Sequence, residues 1–251
     1  MSYFKKLILD QFSYHITKKS QVTPLEFNEI LEKIGTLDEA IFSYSESKHY
    51  SNSHLFNDSN DHDNLAVLIY YKCKLVGYGF VKITRLEIDQ KNILAFQAFG
   101  GMLDEYVGNN IAFFAGIESC FKILKESRLP TYFIFFTCNP KFYSLMSKCF
   151  LGLYPTPKNS SHPFQEKLIS SYIYKWNIPK KSVIKDQYLL LKDIPIKKTK
   201  IFNPKRKVDY FFLRHNQQYK KGMYLAVSTK ITIFTLSFAT LRFLIHRFFK
   251  Y

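Results

Sequence analysis

Gly108, Asn109 and Asn110 are the residues whose types and order point most directly to chemistry in this chain. They stand between an apolar run, Ile93–Met102, long enough for a buried strand, and a helix-compatible run, Ile111–Leu124. Gly and Asn tolerate a left-handed backbone and the close approach of a ligand. A turn from strand into helix also leaves the first N–H groups of the helix without intrahelical acceptors, and the helix dipole adds positive character there. Such an end holds phosphate. The same stretch also reads as a helix-starting turn between two core elements, and the residues alone leave both readings open.

The elements that must position this turn lie on either side of it. Leu65–Ile88 reads as a β-hairpin, LAVLIYY and LVGYGFVKITRLEI around Lys72-Cys73-Lys74, because β-branched and aromatic residues fill the runs and polar ones the turn. Gly100-Gly101 inside an apolar strand marks a bulge or a close backbone approach. Thr131–Asn139 reads as a buried strand, and Asn139-Pro140 starts a helix that places Pro first. Phe164–Trp176 reads as a short helix and Val208–Leu213 as a late strand. Residues 1–46 read as helical, with one helix opening at Ser20 or Thr23-Pro24, carrying Leu25, Phe27, Ile30, Leu31 and Ile34, and stopping at Gly35.

Composition sets the class. A chain of 251 residues with 47% hydrophobic and 18% aromatic content supports a folded domain with a proper core and excludes disorder. The net charge is +16, and residues 178–221 hold thirteen Lys or Arg against three Asp, which is +10 of it. Such a surface attracts phosphates, nucleic acid or anionic lipid, while each lysine alone reads as solvated surface. The four cysteines, Cys73, Cys120, Cys138 and Cys149, form no CxxC, so neither a zinc site nor a disulfide framework is implied, and reduced thiols are expected. The polar stretch 46–64 holds His49, His54, His62, Asp58, Asp61 and Asp63 at spacings that match no standard ligand set. It reads as a solvated loop, and no metal is expected. Leu7-Ile8-Leu9 is too short for a signal-peptide core, so a cytoplasmic location is expected.

Thr229–Tyr251 reads as a helix in which Ile231, Phe234, Phe238, Leu241, Ile245 and Phe249 share an apolar face. Only Ile231–Leu241, eleven residues, is free of charge, against the roughly twenty a membrane span needs. Two readings stay open: a helix docked on the domain, or a basic amphipathic helix on an anionic membrane, with the protein peripheral to it.

Over about Leu65–Leu153 the order hairpin, strand, phosphate turn, helix, strand and Asn-initiated helix resembles the GCN5-related N-acetyltransferase (GNAT) superfamily. The family string, roughly Arg/Gln-x-x-Gly-x-Gly/Ala, overlays on Val107-Gly108-Asn109-Asn110-Ile111-Ala112. Gly108 and Ala112 fit; Val107 stands where Arg or Gln is usual and Asn110 where Gly is usual. The resemblance implies a mixed α/β (α+β) fold with a mostly antiparallel central sheet flanked by helices. This chain would add an amphipathic C-terminal helix. The implied division is a domain over 1–222, with its core at 65–153 and a basic insertion at 178–207, followed by the helix over 223–251.

The resemblance further implies acetyl-CoA, or another acyl-CoA, as co-substrate. Its pyrophosphate would lie on Val107–Ala112, and a backbone N–H at Gly101 or Met102 would polarise the thioester carbonyl. Asn139 matches the Asn that opens the family's next helix. The family's Tyr near the CoA sulfur falls at Met146 here, so Tyr143, one turn earlier, is the candidate acid. Asp104 and Glu105, with Glu87 beside them, are the carboxylates nearest by chain position to act as base for the amine. Each also reads as a surface carboxylate. Cys138, in an apolar strand without a nearby His, reads as a buried thiol rather than a nucleophile.

The implied activity is transfer of an acyl group, acetyl first of all, from CoA to an amine that the sequence does not identify. Two alternatives stand beside it. One is an acyltransferase for longer chains. The other is a non-catalytic module that binds anionic membrane or nucleic acid through its basic surface. Under the enzyme reading nucleic acid is not an expected partner.

Overall fold

The computed structural model describes residues 11–41, 63–108, 110–176, 183–185, 188–191 and 202–248. The polar loop up to His62, with its three histidines, falls outside them, as does the basic stretch 192–201. The chain divides into two compact units, one of residues up to Ile83 with Ala98–Lys122, the other of Thr84–Gln97 with Ile123 onward. The third and fourth strands run through both.

The first unit holds β1 (Phe12–Lys18), helix α1 (Pro24–Ile41), β2 (Leu65–Tyr71), the start of β3 (Lys74–Ile88), the end of β4 (Lys91–Met102) and most of α2 (Ile111–Glu126). Its strands follow the order β1-β2-β3-β4. β1 lies antiparallel to β2 from Phe12 opposite Tyr71 to Lys18 opposite Leu65. The hairpin expected at Leu65–Ile88 forms. Lys72 and Cys73 at its tip take φ of 44° and 66°, the left-handed pair whose twist matches that of the strands it joins. Cys73 is exposed there.

Two expectations for the N-terminal segment are corrected. Residues 12–18 are a strand, not helix. Phe12, Tyr14 and Ile16 alternate with polar residues at the strand period, and they pack on the cluster of Val67, Ile69 and Val76. Helix α1 does not stop at Gly35 but runs on to Ile41. Gly inside a helix costs about 1 kcal/mol. Continuing buries Leu37 and Ile41 beside Phe27, Ile34 and Phe80, each burial contributing roughly 1.5–3 kcal/mol. The helix start is as expected. Thr23 and Glu26 exchange hydrogen bonds, the Thr23 N–H donating to Glu26 at 2.8 Å and the Glu26 N–H to Thr23 Oγ1 at 3.3 Å, a reciprocal cap.

The second unit holds the start of β4, β5 (Thr131–Thr137), α3 (Pro140–Cys149), α4 (Pro163–Lys175), β6 (Val183–Lys185), β7 (Leu189–Leu191), α5 (Lys207–His215), β8 (Tyr224–Ile231) and α6 (Ile233–Phe248). Its strands follow the order β4-β5-β8-β7-β6. β4 and β5 pair in parallel over Leu94–Gln97 and Thr131–Ile134; β5–β8, β8–β7 and β7–β6 are antiparallel. Leu86, Ile88, Ile93, Ala95 and Ile134 pack under Leu168 and Tyr172 of α4. The fold is therefore mixed α/β, with a mostly antiparallel sheet flanked by helices and a helix added at the C-terminus.

Here too the structure corrects the reading. Val208–Leu213 is not a strand but lies in α5. The Asp209 carboxylate accepts the N–H groups of Lys205 and Arg206, each at 3.0 Å, and the Ser144 hydroxyl at 2.6 Å. That ties down a helix start, and Phe212 is fully buried against Tyr143. The strand beside β5 is instead Tyr224–Ile231, so Ile231 belongs to the sheet and the C-terminal helix begins at Ile233. Thr232 caps it, accepting the Thr235 N–H at 3.1 Å. The helix docks, but through Leu236, Ala239 and Phe243, which are buried; Phe234, Leu241 and Ile245, placed on its apolar face by their spacing, are exposed.

Gly100 shows the close backbone approach expected of it: a Cβ there would lie 2.3 Å from the Tyr78 carbonyl oxygen. Gly100→Ala is expected to lower stability by about 1–3 kcal/mol, because backbone must move to admit it. Gly116, exposed in α2 with nothing within 4 Å of a Cβ, gives the control. Gly116→Ala is expected to raise stability by about 0.5–1 kcal/mol, and urea unfolding of the two variants measures both.

Candidate functional site

The turn that carries the candidate phosphate contacts is built in steps. β4 ends where the Leu103 N–H donates to the Val76 carbonyl at 3.0 Å. Asp104–Tyr106 then form one 3₁₀ turn, closed by the Val107 N–H on the Asp104 carbonyl at 3.3 Å. Gly108 follows with φ of 104° and Asn110 with φ of 67°. Both lie in the left-handed region their residue types allow. Nothing lies within 4 Å of a Cβ at Gly108, so the residue is glycine for its backbone angle and not for want of space. Asn109 lies outside the described residues.

Helix α2 springs from this turn. The Asn110 carbonyl accepts the N–H groups of Phe113 and Phe114 at 3.0 and 3.2 Å. Ile111 is fully buried with Val76, Met102 and Ala115, which fixes the helix start against the strands. Ala112 and Val107 face solvent. The first turn of α2 carries no acidic side chain, so its positive end is not neutralised from within the helix. Gly101 is half-buried and Met102 buried. A Cβ at Gly77 would lie 3.2 Å from both the Gly101 carbonyl and the Met102 Cε, so β3 and the end of β4 are held close. Farther along α2, Glu118 accepts the Tyr14 hydroxyl and Lys122 reaches the Ile16 carbonyl at 3.4 Å. These bonds tie the helix to β1.

The unit therefore brings together Gly101, Met102, Val107, Gly108, Asn110, Ile111 and Ala112 around one strand end and one helix start. Asp104 and Glu105 are exposed on the turn between them. Glu87 is exposed on β3 in the second unit.

Asn139 and Tyr143 also belong to the second unit. Asn139 starts α3 as expected, its Oδ1 accepting the N–H groups of Lys141 and Phe142 at 3.0 and 3.3 Å. Tyr143, the expected acid, is fully buried and packs on Phe212. Its hydroxyl donates to the Pro155 carbonyl at 2.6 Å. Burial, and after it the nearby Tyr188, pushes the phenol far above its ordinary range. A phenol shut from solvent with its proton held by a carbonyl has the surroundings of a packing group rather than those expected of an acid. Met146, at the family's Tyr position, is buried as well. Cys138 is a buried thiol raised by that burial, as its apolar surroundings imply.

Sequence reasoning missed one titratable pair. Asp38 on α1 is buried and accepts the hydroxyl of Tyr78 on β3, itself buried. Burial pushes the Asp38 carboxyl up, the Tyr78 hydrogen bond opposing it. The signal was present in the helix period, because Ile34, Leu37, Asp38 and Ile41 share one face. A second feature was half visible: Lys141, Lys148, Lys205 and Arg206 surround an open cleft of about 520 Å³. Of these only Lys205 and Arg206 lie in the basic segment that the charge count marks.

A raised folded-state value for Asp38 means that the native chain binds more protons than the unfolded one between the ordinary and the raised values. Stability must then fall as pH rises through that window and level off above it. Asp38→Asn keeps an acceptor for Tyr78 and removes the buried charge. The variant is expected to lose that part of the slope and to match or exceed the wild type at neutral pH. Urea midpoints measured from acid to neutral pH check this, and a variant less stable at every pH would refute it.

No protein-family model matches the chain, and no curated protein matches it. Solved structures do match, at low similarity. A probable N-acyltransferase from Enterococcus faecalis is 9% identical with a TM-score of 0.38, over 55% of this chain and 33% of that one. This chain thus spans about a third of that protein's length. Arabidopsis thaliana NAA60, solved with acetyl-CoA, is 14% identical with a TM-score of 0.36, over 56% of this chain and 87% of that one. A GNAT-family acetyltransferase from Streptococcus pneumoniae is 10% identical with a TM-score of 0.34, over 88% of this chain and 100% of that one.

Proposed function

We propose that the chain is an acyl-CoA-dependent N-acyltransferase, with acetyl-CoA as the first donor to test. One observation carries this reading. A helix without acid in its first turn rises from a left-handed turn at Gly108 and Asn110, one 3₁₀ turn after a strand end held close to its neighbour at Gly77 and Gly100. The N–H of Ala112 at the helix start, with the helix dipole, suits a phosphate group. The side chain usual at Val107 is dispensable if backbone carries the contact.

In the proposed reaction the amine nitrogen attacks the thioester carbonyl carbon, the N–C bond forms and the C–S bond breaks. A backbone N–H at Gly101 or Met102 stabilises the oxyanion. Asp104 or Glu105 takes the proton of the amine, directly or through water, and water protonates the departing thiolate. Tyr143 has no part. Reduced thiols suit a cytoplasmic reaction. The acceptor is set by residues that carry no recognised signature.

Isothermal titration with acetyl-CoA tests the donor site, and Ala112→Glu is the informative variant. A carboxylate in the first turn favours the helix by about 0.3–1 kcal/mol, yet it repels a pyrophosphate. The expected result is acetyl-CoA binding that weakens by about tenfold or more in Ala112→Glu while thermal stability holds or rises. No binding of acetyl-CoA or of longer acyl-CoA by the wild type removes the enzyme reading. Once an amine acceptor is found, Asp104→Asn and Glu105→Gln compare the two carboxylates. The base is expected to lose about 10²–10⁴-fold in kcat with acetyl-CoA affinity unchanged.

A further inference from the structure

The second unit carries a surface that this reaction does not use. Lys141 and Lys148 on α3 and Lys205 and Arg206 before α5 line an open cleft with Phe202, Asn203 and Asp209. Asp209, the one acid among these, is already occupied by Ser144, by the N–H groups of Lys205 and Arg206, and by the Arg206 guanidinium at 3.4 Å. The positive charge is thus left largely uncompensated. Burial, and next the charge of Arg206, holds the Lys148 ammonium below its ordinary value. Like charges are crowded here, and an incoming anion would relieve them.

Helix α6 borders the cleft. Its Arg242 donates to the Lys148 carbonyl at 2.8 Å, and His246 Nε2 lies 3.4 Å from Lys148 Nζ. Phe234, Phe238, Leu241 and Ile245, spaced four, three and four residues apart, form a line along the helix opposite its docked face. Phe234 is 70% exposed, Leu241 54% and Ile245 47%. The Arg242 guanidinium lies 4.3 Å from the Phe238 ring centroid, at the border between the apolar line and the cations. The fold has already used the other side of this helix, so the exposed line is not held by the domain.

A cationic cleft beside an exposed apolar helix line has the two-part chemistry of a membrane interface: phosphate groups for the one, the headgroup–acyl boundary for the other. We infer that this surface docks the protein on an anionic phospholipid membrane, lipid phosphates entering the cleft while α6 lies in the interface along Phe234, Leu241 and Ile245. Among the described residues no helix is long and apolar enough to cross a membrane, so the association is peripheral.

Co-sedimentation of the full chain with phosphatidylcholine vesicles, with and without phosphatidylserine, tests the inference. The expected result is binding to the mixed vesicles, weak binding to phosphatidylcholine alone, and loss of binding as salt rises. Two sets of substitutions on this surface separate the contributions. Lys141→Gln with Lys148→Gln is expected to weaken binding on the order of 20-fold, each cation contributing about fivefold at such a surface. Phe234→Ser with Leu241→Ser is expected to abolish sedimentation at moderate salt. Acetyl-CoA titration and circular dichroism of the same variants are expected to be unchanged, so that a lost fold or donor site is told apart from a lost surface.

Wild-type protein that ignores phosphatidylserine overturns the inference, as does full vesicle binding by both variants. So does inorganic phosphate or duplex RNA bound as tightly as the mixed vesicles, since the cleft would then serve a soluble anion or nucleic acid.

Discussion

The parallel pairing of Leu94–Gln97 in β4 with Thr131–Ile134 in β5 is the constraint from which the candidate site follows. Parallel neighbours cannot be joined by a tight turn; the chain must cross back, and it does so through a helix. That helix needs a start, and the first N–H groups of a helix have no acceptors one turn back within it. α2 is this crossover helix, and Gly108 and Asn110 supply the left-handed angles by which the chain reverses into it. β1–β2, β2–β3, β5–β8, β8–β7 and β7–β6 are antiparallel. This parallel step is therefore what places a helix start beside the end of β4.

Those parts of the fold whose cause is local were legible in the sequence. The hairpin was marked by polar residues at Lys72–Lys74, α3 by Asn139-Pro140, and α1 by Thr23-Pro24, where the deciding contacts lie within a few residues. The misreadings share the opposite trait. Gly35 signals a helix end, but Leu37 and Ile41 find partners on β2 and β3. Val208–Leu213 has strand-like composition, but Ser144, far away in the chain, binds Asp209, and Tyr143 receives Phe212. At the C-terminus one periodicity hid two faces. Leu236, Ala239 and Phe243 were no more apolar to the eye than Phe234, Leu241 and Ile245, and only packing against α3 and β8 decides which set is covered.

The candidate site was legible unevenly for the same reason. Backbone-permissive residue types at a strand–helix junction could be read without a partner. Tyr143 could not, since its role turns on Pro155, whose carbonyl takes its proton. Asp38 and the cleft lysines lie at the other end of the scale. The former is one carboxylate in an apolar helix face; two of the latter sit on α3, outside the segment whose charge stands out.

The four cysteines give the molecule a built-in set of conformational reporters. Cys73 stands exposed at the hairpin tip, whereas Cys120, Cys138 and Cys149 are buried. Burial raises Cys120 to about 12 and, against the pull of Arg242 and Lys148, Cys149 to about 11. An alkylating reagent at neutral pH meets one reactive thiol on the native surface. The other three answer only when α2, the end of β5 or the end of α3 opens, and each rate measures the free energy of its own local opening.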